Sequence, residues 1–366
     1  MSDYKLTFKL KQHTPYIHFQ HNHLGATLRA SDLKPRIDKY LYVDFQLEKQ
    51  KYQLTISSTL KEDYPTNSSP GKEPYFGKHK LCRYNSIELK FNTYFNTELD
   101  NKIKEILPKV FTCENFGSFG SKGYGCFTDE KQTQSDFQDL LKAKYKTVYY
   151  WETTNTSDAD IFFQIKYFYA LLKAGINIPK GPDKTYYKSL LMQYFLPDIR
   201  WEKRGIKKEF NLTAAQNQTG NLDQKDITIP PDETYKVVKP LFGYSTSQKW
   251  LSYHKDIVIG FPDKENIKRI NSPLFFKVYN DDKNTSARIY FMLRNDAELK
   301  NKILPNKPFE YTIGTTTKPF FTPVDFCYLT FLQDVVKEIN NSIIVINKGK
   351  VDNFIKSFKT NRIKSL

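Results

Sequence analysis

The chain opens on an unbroken alternation, with Tyr4, Leu6, Phe8 and Leu10 apolar and Lys5, Thr7, Lys9 and Lys11 polar between them. A period of two belongs to a strand with one buried face, because successive side chains point to opposite sides. Past a loop from Pro15 to Gly25, Ser31 can cap a short helix through Tyr40, with Asp32 near its positive end and Pro35 within its first turn. The alternation returns at Tyr52, Leu54, Ile56 and at Ile87, Leu89, Phe91, two strands separated by the turn-rich stretch Glu62 to Pro74. A helical pattern follows from Leu99 to Leu107, and then the glycine-rich run FGSFGSKGYGCF from Phe116 to Phe127. The order strand, helix, strand, strand, helix, glycine loop, strand predicts a ferredoxin-like unit.

Further on, DADIFFQIKYFYALL places Ile161, Ile165, Phe168 and Leu172 on one helical face, and Gly175 stands where that helix can stop. Its aromatics read as packing residues. From Arg200 to Glu233 the sequence turns polar and includes Pro230-Pro231, which predicts a long loop or insertion near 200–235. Strands are expected at Ile257 to Phe261, Leu274 to Tyr279 and Ala287 to Leu293. Thr322-Pro323 then opens a helix carrying Phe326, Leu329, Leu332, Val336 and Ile339. The pattern as a whole is α+β in two units, 1–155 with the glycine loop and 156–366 with the polar insertion.

Composition supports that division, since 366 residues exceed one ordinary compact domain and 39% hydrophobic with 15% aromatic residues is ample material for packed sheets. No run of about 18 apolar residues occurs, and the opening segment lacks an apolar signal core, so no membrane partner and a cytoplasmic location are expected. Cys82, Cys113, Cys126 and Cys327 are scattered and read as reduced, structural thiols. The net charge of +16 favours a polyanionic partner. Only nine of the 56 basic residues are Arg, so the positions of those nine say more than the total.

Four of the 15 glycines fall at Gly117, Gly120, Gly123 and Gly125, interleaved with Ser118, Ser121, Lys122 and Tyr124. Glycine permits positive φ and close approach of backbone to a ligand, so amides can converge on phosphate oxygens while Lys122 adds charge. The run contains neither GxxxxGK[ST] nor GxGxxG, which removes the ordinary grounds for nucleotide hydrolysis or dinucleotide binding. A second basic group, Arg29, Lys34, Arg36 and Lys39, surrounds the first helix, and Arg29 is the best placed of them to reach a phosphate or base. Lys203, Arg204, Lys207 and Lys208 form a third.

The glycine run and the Arg29 segment together resemble the RAMP superfamily of CRISPR-associated RNA-binding proteins, whose loop has the form G-x-G-S-[RK]-x-G-[FY]-G. The match falls at Gly120, Ser121, Lys122, Gly123, Tyr124 and Gly125. TPYIHF followed by LRASDLKPRIDKYL is similar to the amino-terminal element of the first-numbered RAMP subunit of the type III-B (Cmr) effector, and INSPLFFKVY resembles the SPL strand of a second RAMP unit. The resemblance implies two tandem ferredoxin-like, RRM-related units in an antiviral ribonucleoprotein, contacting crRNA, target RNA and other CRISPR effector subunits. It implies binding without catalysis and without a cofactor, the protein holding backbone and shape while base pairing reads sequence.

His13, His18, His21 and His23 crowd the first 23 residues, but no Cys pair or acidic partner completes a metal set, so no metal is expected. Some RAMP relatives are metal-independent endoribonucleases that use a histidine beside a tyrosine or lysine. For that alternative the candidates are His18, His21 and His23 with Tyr16. An unrelated soluble interaction module is the third reading.

Overall fold

The alternating segments form strands and the 3.6-period segments form helices, in the order β1 (Leu6–Gln12), α1 (Ala30–Asp38), β2 (Gln53–Leu60), β3 (Tyr84–Asn92), α2 (Thr97–Cys113), β4 (Phe127–Asp129), α3 (Gln134–Lys144), β5 (Val148–Thr153) and α4 (Asp158–Tyr169). There follow β6 (Ile176–Ile178), β7 (Thr185–Tyr187), α5 (Leu190–Tyr194), α6 (Glu202–Glu209), β8 (Tyr244–Ser245), β9 (Ser247–Trp250), β10 (Tyr253–Gly260) and β11 (Arg269–Ile270). The remaining elements are β12 (Leu274–Asn280), β13 (Ala287–Leu293), β14 (Pro308–Ile313), β15 (Thr316–Phe321), α7 (Tyr328–Asn341) and β16 (Lys364–Ser365). The structure, a computed structural model, describes residues 6–18, 27–44, 51–61, 81–178, 185–195, 202–211, 236–245, 247–250, 253–260, 269–270, 272–294, 308–341 and 363–366. The turn-rich stretch 62–74, His21, His23 and the polar residues 212–235 lie outside them.

The first sheet has the order β2-β3-β1-β4 with antiparallel neighbours. Register aligns Leu54, Phe91 and Leu6 in one cross-strand row and Ile56, Leu89 and Phe8 in the next. These rows pack in one core with Leu33 and Ile37 of α1 and with Leu99, Ile103, Ile106, Leu107 and Val110 of α2. Helix α2 begins where Asn96 Oδ1 accepts from the Leu99 amide at 2.9 Å, and it runs on past Leu107 to Cys113.

Helix α1 corrects the expected cap. Its N-cap is Arg29, whose carbonyl accepts from the Asp32 and Leu33 amides, and Ser31 lies exposed inside the first turn. The helix buries Leu33 and Ile37, which lie four residues apart on one face. Pro35 falls in the second turn, and beyond Asp38 the backbone widens into a π-turn over Lys39–Asp44. In α4, Ile161, Ile165 and Phe168 are buried, as is Leu172 beyond it, and Gly175 at φ +78° ends the segment with its amide on the Ala170 carbonyl.

The chain groups into one unit of Met1–Ile165, Phe275–Met292 and Lys364–Leu366 and another of Lys166–Leu274 and Leu293–Ile363, where sequence order suggested a division at 155/156. The first unit thus recovers β12 and β13, two strands from late in the chain, in the sheet β12-β13-β5-β16. Ile289 pairs with Trp151 and Phe291 with Tyr149, which gives the apolar strand β5 a buried neighbour. In the second unit, β15-β14-β10-β9 form an antiparallel sheet. Residues 202–209, expected as loop, are helix α6, and the buried Glu202 carboxylate in its first turn accepts from the Val238 and Lys239 amides. Helix α7 starts at Tyr328, later than Thr322-Pro323, and buries Phe331, Leu332 and Val335. Among the described residues no helix is long and apolar enough to cross a membrane.

All seven residues of β12 are buried, Lys277 included. Its ammonium donates to the Phe111 and Glu114 carbonyls at 2.8 and 2.9 Å, at the negative end of α2, while burial depresses its pKa. Lys277→Met should leave both carbonyls without a donor and cost about 2–3 kcal/mol, read as a lower urea midpoint at unchanged slope.

Candidate nucleic-acid interface

Beyond the end of α2 the glycine run folds back on itself. Gly117, Phe119, Gly123 and Gly125 all have positive φ, between 60° and 86°. Asn115 holds the turn closed, its Nδ2 donating to the Gly120 carbonyl at 2.6 Å and to the Phe276 carbonyl of β12 at 2.8 Å. Its Oδ1 accepts from Cys126 Sγ at 3.2 Å. Thr14 closes the other side: its hydroxyl donates to the Gly123 carbonyl at 2.7 Å and accepts from the Cys126 amide at 2.9 Å. The amides of Phe116, Ser118, Lys122, Gly123 and Gly125 also donate to carbonyls within the chain.

Two of the glycines are fixed by neighbours. A Cβ on Gly125 would stand 2.0 Å from the Phe116 carbonyl oxygen, and one on Gly117 would stand 2.3 Å from the Ile17 oxygen and 2.6 Å from the Tyr16 ring. Gly123, Tyr124 and Gly125 are buried, and the Tyr124 ring stacks on Phe162 at 3.8 Å between centroids. Gly117, Gly120, Ser121 and Lys122 remain partly exposed, but the Lys122 Nζ is itself buried. The run therefore has an inner half, Gly123 to Phe127, that belongs to the core, and an outer half, Gly117 to Lys122, that solvent reaches.

The basic segment divides in the same way. Lys34 donates to the Tyr52 carbonyl at 3.0 Å and lies over the Tyr52 ring; Arg36 pairs with Glu114 at 2.7 Å and lies over Phe116. Arg29 and Lys39 are exposed. Tyr16 brings the two segments together: its ring packs against Gly117, and its hydroxyl donates to Asp32 Oδ2, in the first turn of α1, at 3.1 Å. Tyr16 thus ties the first turn of α1 to the glycine run. The side chains of Lys203, Arg204, Lys207 and Lys208 lie outside the described set.

The buried environment decides the histidines. Tyr16 and His18 are buried, and the Tyr16 phenol is pushed upward by desolvation and by Asp32, away from acid–base work near neutrality. His13 is a core residue: Nδ1 accepts from the Asn280 amide at 3.0 Å, so Nε2 carries the proton and donates to Thr128 Oγ1 at 2.9 Å. Burial first, then Lys11, Lys277 and Arg83, hold its pKa well below the ordinary 6.5. Among the described residues no group of three or more His, Cys, Asp or Glu could hold a metal. Sequence reasoning missed Thr14, Asn115 and Lys277, whose partners are remote in sequence and leave no local pattern.

A family model described as the Cmr1 N-terminal domain matches residues 3–75 and 48–176, and one described as the Cmr1 C-terminal domain matches residues 186–361. The chain is also similar to the crystal structure of Cmr1 from Pyrococcus furiosus in its apo form, at 8% identity and a TM-score of 0.37, over 80% of this chain and 88% of that one. No curated protein matches.

Gly125→Ala should cost about 3 kcal/mol or more, because it meets backbone at positive φ, whereas Gly120→Ala should stay within about 1 kcal/mol; urea unfolding of both variants compares them. His13 supplies a pH dependence. Its folded pKa is depressed, so its contribution to stability is complete above about 6.5 and is lost as pH falls below that value. The unfolding free energy from urea titrations should therefore fall as pH drops from about 7.5 to about 5.5, by at most about 1.4 kcal/mol per pH unit, and His13→Gln should flatten that slope while lowering stability throughout.

Proposed function

The chain belongs to the Cmr1 family, and from that premise we propose that it is an RNA-binding subunit of a type III-B CRISPR effector complex, contacting crRNA or captured target RNA beside other effector subunits. The observation that carries this reading is the fixed backbone of the glycine run, partly exposed from Gly117 to Ser121, in a chain whose Arg29 and Lys39 are exposed at the two ends of α1. A pre-shaped backbone and exposed cations suit a phosphodiester chain, because phosphate contacts position a nucleic acid without reading its sequence. The charge of +16 favours the same partner.

The element order β1-α1-β2-β3-α2-β4 with strands arranged β2-β3-β1-β4 supports a ferredoxin-like first RAMP unit, and we extend that reading to a second RAMP-like unit in the later part of the chain. Within this proposal Gly117, Gly120, Ser121, Arg29 and Lys39 touch RNA, while the Lys122 ammonium, expected to do so from the sequence, is buried. Lys34, Arg36, Gly123, Tyr124 and Gly125 shape the surface from behind. The nuclease reading loses support from the burial of Tyr16 and His18, since a general acid or base must reach the proton it transfers.

Binding of the full chain to a labelled single-stranded RNA, followed across salt concentrations, tests the proposal. Arg29→Ala should weaken binding about tenfold for any sequence and lower the slope of log affinity against log salt by about 0.7. Unchanged affinity in Arg29→Ala combined with Lys39→Ala would remove this surface from the RNA path.

A further inference from the structure

Between β3 and α2 the chain makes a turn over Thr93, Tyr94, Phe95 and Asn96, closed by the Asn96 amide on the Thr93 carbonyl at 3.2 Å. Both central residues have positive φ, 55° at Tyr94 and 65° at Phe95. Sequences ordinarily fill such a pair with Asn-Gly, because an L side chain in this region is strained. Here both positions are aromatic, and the two residues are 54% and 77% exposed, the two largest exposures among the large hydrophobic residues described.

The turn is held from several sides. The Tyr94 amide donates to Asn92 Oδ1 at 3.1 Å, the buried Thr93 hydroxyl donates to Asp100 Oδ1 at 2.8 Å, and Asn96 caps α2. Strain that the surroundings over-determine, combined with apolar rings offered to solvent, is a mark of function. Local propensity would favour glycine at either position, and burial gives no reason for aromatic rings at these exposures.

The ground around the rings selects the kind of ligand. Lys51, Thr97 and Glu98 are exposed and Asn92 and Asn96 half-buried, so the two rings rise from a polar surface. A protein partner would be met by a contiguous apolar patch that becomes the desolvated centre of an interface. Ring faces set among polar groups on a chain of charge +16 suit single-stranded nucleic acid, whose bases stack on aromatics whatever their sequence. Helix α2 separates this turn from the glycine run by its 17 residues, about 25 Å at the helical rise.

We infer that Tyr94 and Phe95 form a second RNA contact, a base-stacking platform at the far end of α2 from the glycine turn. The inference rests on the RNA-binding reading above and adds to it a site of different chemistry, stacking in place of phosphate contact.

The test titrates a fluorescein-labelled single-stranded RNA of mixed sequence against the full chain and its variants, with urea unfolding read in parallel. Phe95→Gly should be at least as stable as the parent, because glycine adopts φ 65° without strain, yet bind RNA about 5- to 100-fold more weakly. Its salt slope should be unchanged, unlike that of Arg29→Ala, and Phe95→Trp should retain binding. If Phe95→Gly keeps the parent's affinity while Arg29→Ala weakens it, the platform is overturned and the RNA-binding reading stands. If the parent itself holds no RNA, both fall. Full RNA affinity in Phe95→Gly with loss of co-purifying subunits would make the turn a protein contact and overturn the inference.

Discussion

The first unit depends on one side chain more than on any other. Asn115 bridges the Gly120 carbonyl, five residues away, and the Phe276 carbonyl, 161 residues away, while its oxygen receives the Cys126 thiol. Lys277, the neighbour of Phe276 in β12, fastens the same strand to the last carbonyls of α2. Without these links the Phe111, Glu114 and Phe276 carbonyls would lose the donors that Lys277 and Asn115 supply, a cost of about 1–3 kcal/mol for each left unsatisfied, whereas the Gly120 carbonyl would keep the Gly123 amide. With them, a late strand becomes the back wall of an early loop.

That wall divides the glycine run by purpose. Gly117 and Gly125 are glycine because Tyr16, Ile17 and Phe116 fill the space a methyl group would need. Phe119 takes positive φ without being glycine, a local strain carried by the bonds on either side of it. A loop fixed in this way loses little entropy when it meets a ligand, which is what a backbone clamp requires. Close packing thus holds the run from inside and leaves Gly117 to Ser121 partly exposed outside.

The crowded histidines show burial overruling a suggestive pattern. His13 accepts a backbone amide and donates to a threonine, and it stacks on Tyr279 at 4.7 Å between centroids, so its ring serves as a polar tie inside the core. Arg83 behaves similarly. It spends its guanidinium on Asp158 and on the carbonyls of Gln12 and His13, far from any free anion. Formal charge counts such groups with the exposed Arg29, although only the exposed ones add to a surface that draws a polyanion.

The sequence by itself determined what local periodicity can carry. Strands β1, β2 and β3 and helices α2 and α4 appear where alternation and the 3.6 repeat put them, and the glycine run is visible as a special turn, because each feature depends on neighbours a few residues away. Tertiary structure alone decided the rest. It gave β12 and β13 to the first unit, since strand pairing joins residues more than a hundred positions apart. It moved the cap of α1 from Ser31 to Arg29, whose carbonyl receives the Asp32 and Leu33 amides. It also turned Tyr124 and two glycines inward. A glycine's freedom is readable from sequence, but which atoms crowd it depends on segments folded against it from elsewhere in the chain.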